Sequence, residues 1–219
     1  MKWIISNHKL SFDSNNIENY IDGLNKLEFK NIKLVICPRH EHLKNFSGNN
    51  YYLGCQDIIK YEELKKYNIK YSIIGHSDRR INYNETDEQI NQKIKYLLSN
   101  NITPILCIGE KKGEDIKAVL KRQLELALKD IYGKIIIAYE PVWAIGSGNT
   151  PSNETLEEII NFISNEAINI LGYRPLILYG GSVNYETVVA LNKIPGLDGY
   201  LIGNASLKIE NLMKLVEVI

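Results

Sequence analysis

The sequence has only three cysteines, Cys37, Cys55 and Cys107, an odd number with no CxxC spacing. That excludes a disulfide framework and a zinc knuckle, and it suits a reducing compartment. An excess of charge of one sign is missing too. The 26 Lys+Arg balance the 26 Asp+Glu, so no global field recruits nucleic acid or an acidic membrane. Any anion must be bound by local groups. No apolar run approaches the roughly 18 residues needed to span a bilayer. In the opening "MKWIISNHK", only Trp3, Ile4 and Ile5 precede polar residues, too few for the apolar core of a secretory leader. The expected location is therefore the cytoplasm, where the sequons at Asn45 and Asn153 carry no meaning. A Pro/Gly/Ser-rich linker is also lacking, so the expectation is one domain over residues 1–219.

What is present is core material: 44% hydrophobic and 24% charged residues. Short apolar runs recur at 2–7, 32–38, 51–56, 71–76, 103–108, 134–140, 175–180 and 198–203. Their hydrophobicity is continuous rather than alternating, which marks strands covered on both faces, as in parallel sheets. Between them lie amphipathic stretches. The clearest is 152–171, where Ser152 can cap, glutamates fill the first turns and Gly172 supplies the stop. Its apolar face is Leu156, Ile159, Ile160, Ile163, Ala167, Ile170 and Leu171. Helices are also expected at 85–100 and 114–131. Eight strand–helix units predict an α/β fold, a single closed (β/α)8 barrel. The rival is an open doubly wound sheet, but no GxGxxG turn follows the first strand.

In such barrels chemistry sits at the C-terminal strand ends. There the first strand presents Asn7 and Lys9, the fourth His76 and the sixth Glu140. Taken singly, Glu140 reads equally as a solvated strand end, His76 as a satisfied polar residue and Lys9 as surface. Their joint placement on one rim argues against accident. Strands seven and eight run into Gly180-Gly181-Ser182 and Gly203-Asn204. Two adjacent glycine turns, each before a helical stretch, can aim backbone N–H groups at an anion. Plain turn chemistry is the alternative. The usual phosphate position of these barrels favours the cradle.

These residues resemble the triosephosphate isomerase family over almost the whole chain. The segments "NHK" (7–9), "IIGHSDRR" (73–80), "CIGE" (107–110), "AYEPVWAIGSGNT" (138–150), "LYGGSVN" (178–184) and "LIGNASL" (201–207) follow in the family's order. The resemblance implies interconversion of dihydroxyacetone phosphate and glyceraldehyde 3-phosphate, with no metal or organic cofactor. Glu140 is then the base, His76 the neutral electrophile, and Lys9 a cation near both phosphate and oxyanion. Asn7 is expected to fix Lys9, and Asp78 to support it. Substrate phosphate falls to Gly146, Ser182, Gly203 and Asn204, beside Asn7 and Lys9. Residues 141–151 are expected to form a lid that excludes water from an enediolate. Within it, Trp143 reads as a hinge anchor or as a core aromatic.

Three departures from the family carry expectations of their own. Asp78 stands where the family has Glu, one methylene shorter. Pro151 stands where the family usually has Ala, whose N–H receives the hydroxyl of the tyrosine matching Tyr179. Proline has no N–H, so lid closure should rely on Ser182 meeting the Gly148 backbone. Asn149 also replaces a common lysine at that hinge. Last, residues 57–70 must hold one helix, about 61–67, and both its connections. The family's long third loop, which reaches into a neighbouring subunit, has no room. The usual dimer is not expected, and a monomer or an atypical oligomer is.

The remaining features read as ordinary. His40-Glu41-His42 on a loop is a solvated run rather than a metal site. Arg79 and Arg80 suit salt bridges at a helix start, Cys37 and Cys107 pack as small hydrophobes, and Lys111-Lys112 faces solvent. Two functional alternatives stay open: another phosphosugar isomerase or epimerase, and a non-catalytic phosphate-binding barrel. The first would not need the Glu-Pro-x-Trp lid. Retention of Lys9, His76 and Glu140 together speaks against the second.

Overall fold

Continuous apolar strands need cover on both faces, and a sheet that closes on itself provides it. The computed structural model describes residues 1–9, 16–28, 31–47, 50–58 and 60–219. Its strands are β1 (Lys2–Asn7), β2 (Ile32–Cys37), β3 (Tyr52–Gln56), β4 (Tyr71–Ile74), β5 (Thr103–Ile108), β6 (Ile136–Tyr139), β7 (Leu176–Tyr179) and β8 (Gly199–Ile202). Each pairs in parallel with the next, and β8 pairs with β1. The chain is a closed eight-stranded parallel barrel.

Strand alternation divides the core in two. Ile5, Val35, Cys37, Ile73, Ile105, Cys107, Ala138, Leu178 and Leu201 fill the barrel interior. Their neighbours Ile4, Leu34, Ile36, Ile74, Leu106, Ile108, Ile137, Ile177 and Ile202 face outward and pack under the helices. Both sets are buried, which is why the strands read as unbroken apolar runs.

The helices are α1 (Ile17–Lys26), α2 (Tyr61–Lys66), α3 (Ser77–Asn82), α4 (Asp87–Ser99), α5 (Ile116–Ala127), α6 (Asn153–Leu171), α7 (Tyr185–Leu191) and α8 (Ile209–Val218). α6 matches its sequence signals. Ser152 Oγ accepts from the Thr155 amide, and Gly172 ends the helix at φ 76°. Ile170 and Leu171, expected on its apolar face, are only half-buried. α4 is two residues shorter than expected at its start, because Thr86 and Gln89 form a capping box there. α5 is shorter too, beginning after Asp115, which caps Ala118 N. α3 is an addition: SDRRIN has no apolar period to announce a helix. It exists because Gly75, at φ 64°, turns the chain out of β4, and the His76 ring then caps the next turn.

Candidate active site

At the C-terminal mouth the strand ends enclose a cavity of about 490 Å³, within the usual size of small-ligand sites. Asn7, Lys9, His76, Asp78, Glu140, Gly146, Ser182, Gly203 and Asn204 all line it. The structure therefore brings together every residue that the sequence nominated.

Glu140 follows β6 directly, its amide bonded to Ile108 O at 2.7 Å. It is 4% exposed, and its Oε2 has no hydrogen-bond partner among the described residues. A buried carboxylate oxygen left open in this way is costly unless a ligand uses it. Gly180 makes room for it: a Cβ there would lie 2.7 Å from Glu140 Cγ.

His76 stands across from it, with Nε2 at 3.3 Å from Glu140 Oε1. On the other side of the ring, Nδ1 accepts the Asp78 amide at 3.2 Å. An N–H donated to Nδ1 leaves the ring proton on Nε2, which faces the cavity. Burial is the strongest single influence and works to lower the imidazole pKa, but the charge and hydrogen bond of Glu140, together with Asp78, outweigh it and the net direction is up. For Glu140 burial pushes up, His76 and Lys9 pull down, and the net direction is down. The pair thus holds its carboxylate ionised. The Asp78 amide decides which nitrogen carries the proton.

Lys9 Nζ lies 3.6 Å from Asp78 Oδ2, which is itself 3.5 Å from His76 Nδ1. The shorter aspartate still reaches the lysine. Asp78 is half-exposed, so the pair adds little stability. Asn7 Oδ1 is buried with no partner among the described residues, a second open acceptor in the cavity wall. His8, between Asn7 and Lys9, turns the other way onto Ser6 and Tyr20. Burial, with the nearby His42, lowers its pKa to about 3, so it stays neutral.

The anion side is main chain. Among the described residues, no backbone hydrogen bond uses the amides of Gly181, Ser182 or Asn204. Asn184 caps the start of α7 behind them, accepting from the Glu186 and Thr187 amides. Among the described residues, no group of His, Cys, Asp and Glu is arranged to hold a metal ion. His40 instead pairs with Glu63 at 2.8 Å on the surface.

In the segment expected as a lid, Val142–Ala144 form one 3-10 turn, and Gly146 (φ 66°) and Gly148 (φ 77°) follow in the left-handed region that glycine tolerates. Ser182 Oγ accepts the Gly148 amide at 3.0 Å and donates to Ala144 O at 2.6 Å. Tyr179 Oη, by contrast, is buried with no partner among the described residues, while Pro151 has no N–H to offer it. Burial, reinforced by the Glu110 charge, raises its pKa.

Glu110 has a place that the sequence did not reveal. It is 1% exposed and accepts from Tyr139 Oη at 3.1–3.2 Å and from Trp143 Nε1 at 2.8 Å. Its carbonyl accepts the Val142 amide at 2.9 Å. Trp143 is thus tied by its indole N–H to a buried acid at the base of the segment expected as a lid. The only advance signal was a carboxylate at the exit of β5. Cys107 is buried beside Glu140, its thiol pKa pushed well up by burial and then by that charge. It therefore stays a thiol.

The family model for triosephosphate isomerase matches residues 2–219. Among curated relatives, the triosephosphate isomerase of Buchnera aphidicola subsp. Cinara cedri is 37% identical, covering 98% of this chain and 97% of the relative. That of Mycoplasmoides gallisepticum is 45% identical over 73% of this chain and 68% of the relative. That of Mycoplasma genitalium is 32% identical over 99% and 98%.

Proposed function

The chain belongs to the triosephosphate isomerase family, and on that premise we propose how its own residues perform the reaction. It is an isomerase that interconverts dihydroxyacetone phosphate and glyceraldehyde 3-phosphate. Glu140 takes a proton from C1 of the ketose. The C–H electron pair becomes the C1–C2 double bond, and the carbonyl pair moves onto the C2 oxygen. His76 Nε2–H meets the negative charge that develops there, and Lys9 adds a cation. Glu140 then returns its proton to C2, the hydroxyl proton of C1 passes to the C2 oxygen, and C1 becomes the aldehyde. Asn7 offers its side chain to the substrate oxygen beside Lys9, and Asp78 supports Lys9. Gly146, Ser182, Gly203 and Asn204 hold the phosphate, and residues 141–151 exclude water. A carboxylate, an imidazole and an ammonium suffice for these steps, with no metal or organic cofactor.

One observation carries the reading: Glu140, buried with an open oxygen, faces the proton-bearing nitrogen of His76 across 3.3 Å. A coupled assay with glyceraldehyde 3-phosphate tests it. Turnover should fall about 10²–10⁴-fold in Glu140→Gln. Undiminished turnover in that variant sinks the assignment.

The reading extends to assembly and location. Only residues 57–60 join β3 to α2, and residue 59 lies outside those described. So short a connection supports a monomer or an atypical oligomer in place of the usual dimer. A stable dimer built on residues 57–62, seen by light scattering at micromolar concentration, would overturn that. The cytoplasm remains the expected site of action, and glycolysis and gluconeogenesis the setting. Among the described residues no helix is long and apolar enough to cross a membrane.

A further inference from the structure

His76 owes its position to α3, a helix of only six residues. A helix so short has little stability of its own, so its neighbours decide where the imidazole points. Two arginines in its second turn provide the anchors. Arg80 reaches inward, donating to Gly75 O at 2.7 Å and Cys107 O at 3.1 Å and pairing with Asp87 at the start of α4. Arg79 reaches the other way: its Nε lies 3.1 Å from Asp57 Oδ2, a charge pair without hydrogen-bond alignment, and its guanidinium lies over the Tyr83 ring.

Asp57 is the first residue after β3. It sits at φ 60°, a region that side chains with a Cβ rarely occupy and that Asp and Asn enter more readily than most. Its backbone is fixed on both sides: the amide donates to Ile73 O at 2.7 Å, and the carbonyl accepts Ser72 Oγ at 2.7 Å. The side chain is divided between two cations, Arg79 on one oxygen and Lys93 of α4 on the other. Lys93 also binds Glu85, which is 7% exposed and lies 3.9 Å from Arg79. Two acids and two bases, from the β3 exit, α3, the α3–α4 turn and α4, thus close one network behind His76.

We propose that Asp57 is a positioning residue for the isomerisation, acting through Arg79 on α3 and so on His76. This rests on the role given to His76 above. The network makes Asp57 separable from the fold: without its charge, Lys93 keeps Glu85. Asn accepts the same left-handed backbone and nearly the same volume.

Asp57→Asn is therefore the test, with Asp130→Asn as control. Asp130 is a second left-handed aspartate, at φ 56°, exposed and remote from the site. In Asp57→Asn, kcat should fall about tenfold with KM nearly unchanged, since small misplacements of a reacting group lower turnover. The His76 ring resonances, read by NMR at fixed pH, should shift and broaden while thermal unfolding changes little. Unmoved His76 resonances overturn the proposal, whether or not the wild type isomerises triose phosphate. Shifted resonances with unchanged kcat overturn it too. A wild type without isomerase activity sinks the functional reading instead, and the spectrum alone then decides the coupling.

Discussion

Glu140 and His76 lie 3.3 Å apart, yet the structure secures them by different means. The carboxylate sits on the chain directly after a strand, its amide locked to β5, with Gly180 removed from its path. Behind it, Tyr139 of β6 and Trp143 of the segment expected as a lid are tied to a buried acid, Glu110, by neutral O–H and N–H donors. The imidazole caps a six-residue helix held by ion pairs, several of them part-exposed. Close packing and buried hydrogen bonds fix geometry with little dependence on salt or pH, whereas exposed ion pairs weaken with both. Glu140, the base of the proposed reaction, is thus built into the barrel, and His76, its proposed partner, is mounted on it.

Four substitutions sharpen or break that contrast. The largest effect is expected from His76→Asn, which removes an oxyanion donor and should cost about 10²–10³-fold in kcat. It also moves Glu140. Burial raises that carboxyl's pKa, and His76 is the first group to oppose it. In the wild type the base therefore stays ionised below the ordinary carboxylate range. In the variant burial is less opposed, and protonation begins at higher pH. Carboxyl NMR titration of the two proteins should show the rise, and an unchanged Glu140 titration would dissolve the pairing described here.

Gly180→Ala comes next. Its Cβ would press on Glu140 Cγ, and the base must shift, at a cost of about 10²-fold in kcat/KM. The folded state should survive, because the side chain can swing into the cavity. Steady-state kinetics close to wild type would mean that the base is less tightly built in than the geometry says.

Ser182→Ala deletes the two bonds that Ser182 makes to the segment 144–148, each worth roughly 1 kcal/mol. A fall of about tenfold in kcat/KM is the expected outcome. Tyr179→Phe should do least, within about 0.5 kcal/mol in stability, because its hydroxyl has no partner to lose among the described residues. Turnover lowered as strongly by Tyr179→Phe as by Ser182→Ala would show that the tyrosine latch operates without the N–H that Pro151 lacks.

The lining of the cavity was legible wherever a nominated side chain stands directly at a strand end, because strand and turn signals are local. Asn7, Lys9, His76 and Glu140 were nominated in that way and line the cavity together, as do the glycine turns at 180–182 and 203–204. The Ser182–Gly148 contact followed from one missing N–H at Pro151. α3 was hidden because it is made by a capping side chain and a left-handed glycine rather than by apolar period. Glu110 was hidden because its three partners converge only after β5 and β6 pair. The Asp57–Lys93–Glu85–Arg79 network joins residues from four different parts of the chain, and ion pairing at that range leaves no trace in spacing. Several strand ends were misplaced by one or two residues where a turn begins early: β4 stops at Ile74, where Gly75 turns.

Deuterium labelling addresses the single-base account most directly. When glyceraldehyde 3-phosphate is isomerised in D2O, a carboxyl group that exchanges its proton with solvent before returning it will place deuterium on C1 of the dihydroxyacetone phosphate formed. The wild type should introduce that label. Glu140→Gln should introduce almost none while still binding inorganic phosphate, and label entering at the wild-type rate in that variant would contradict the account.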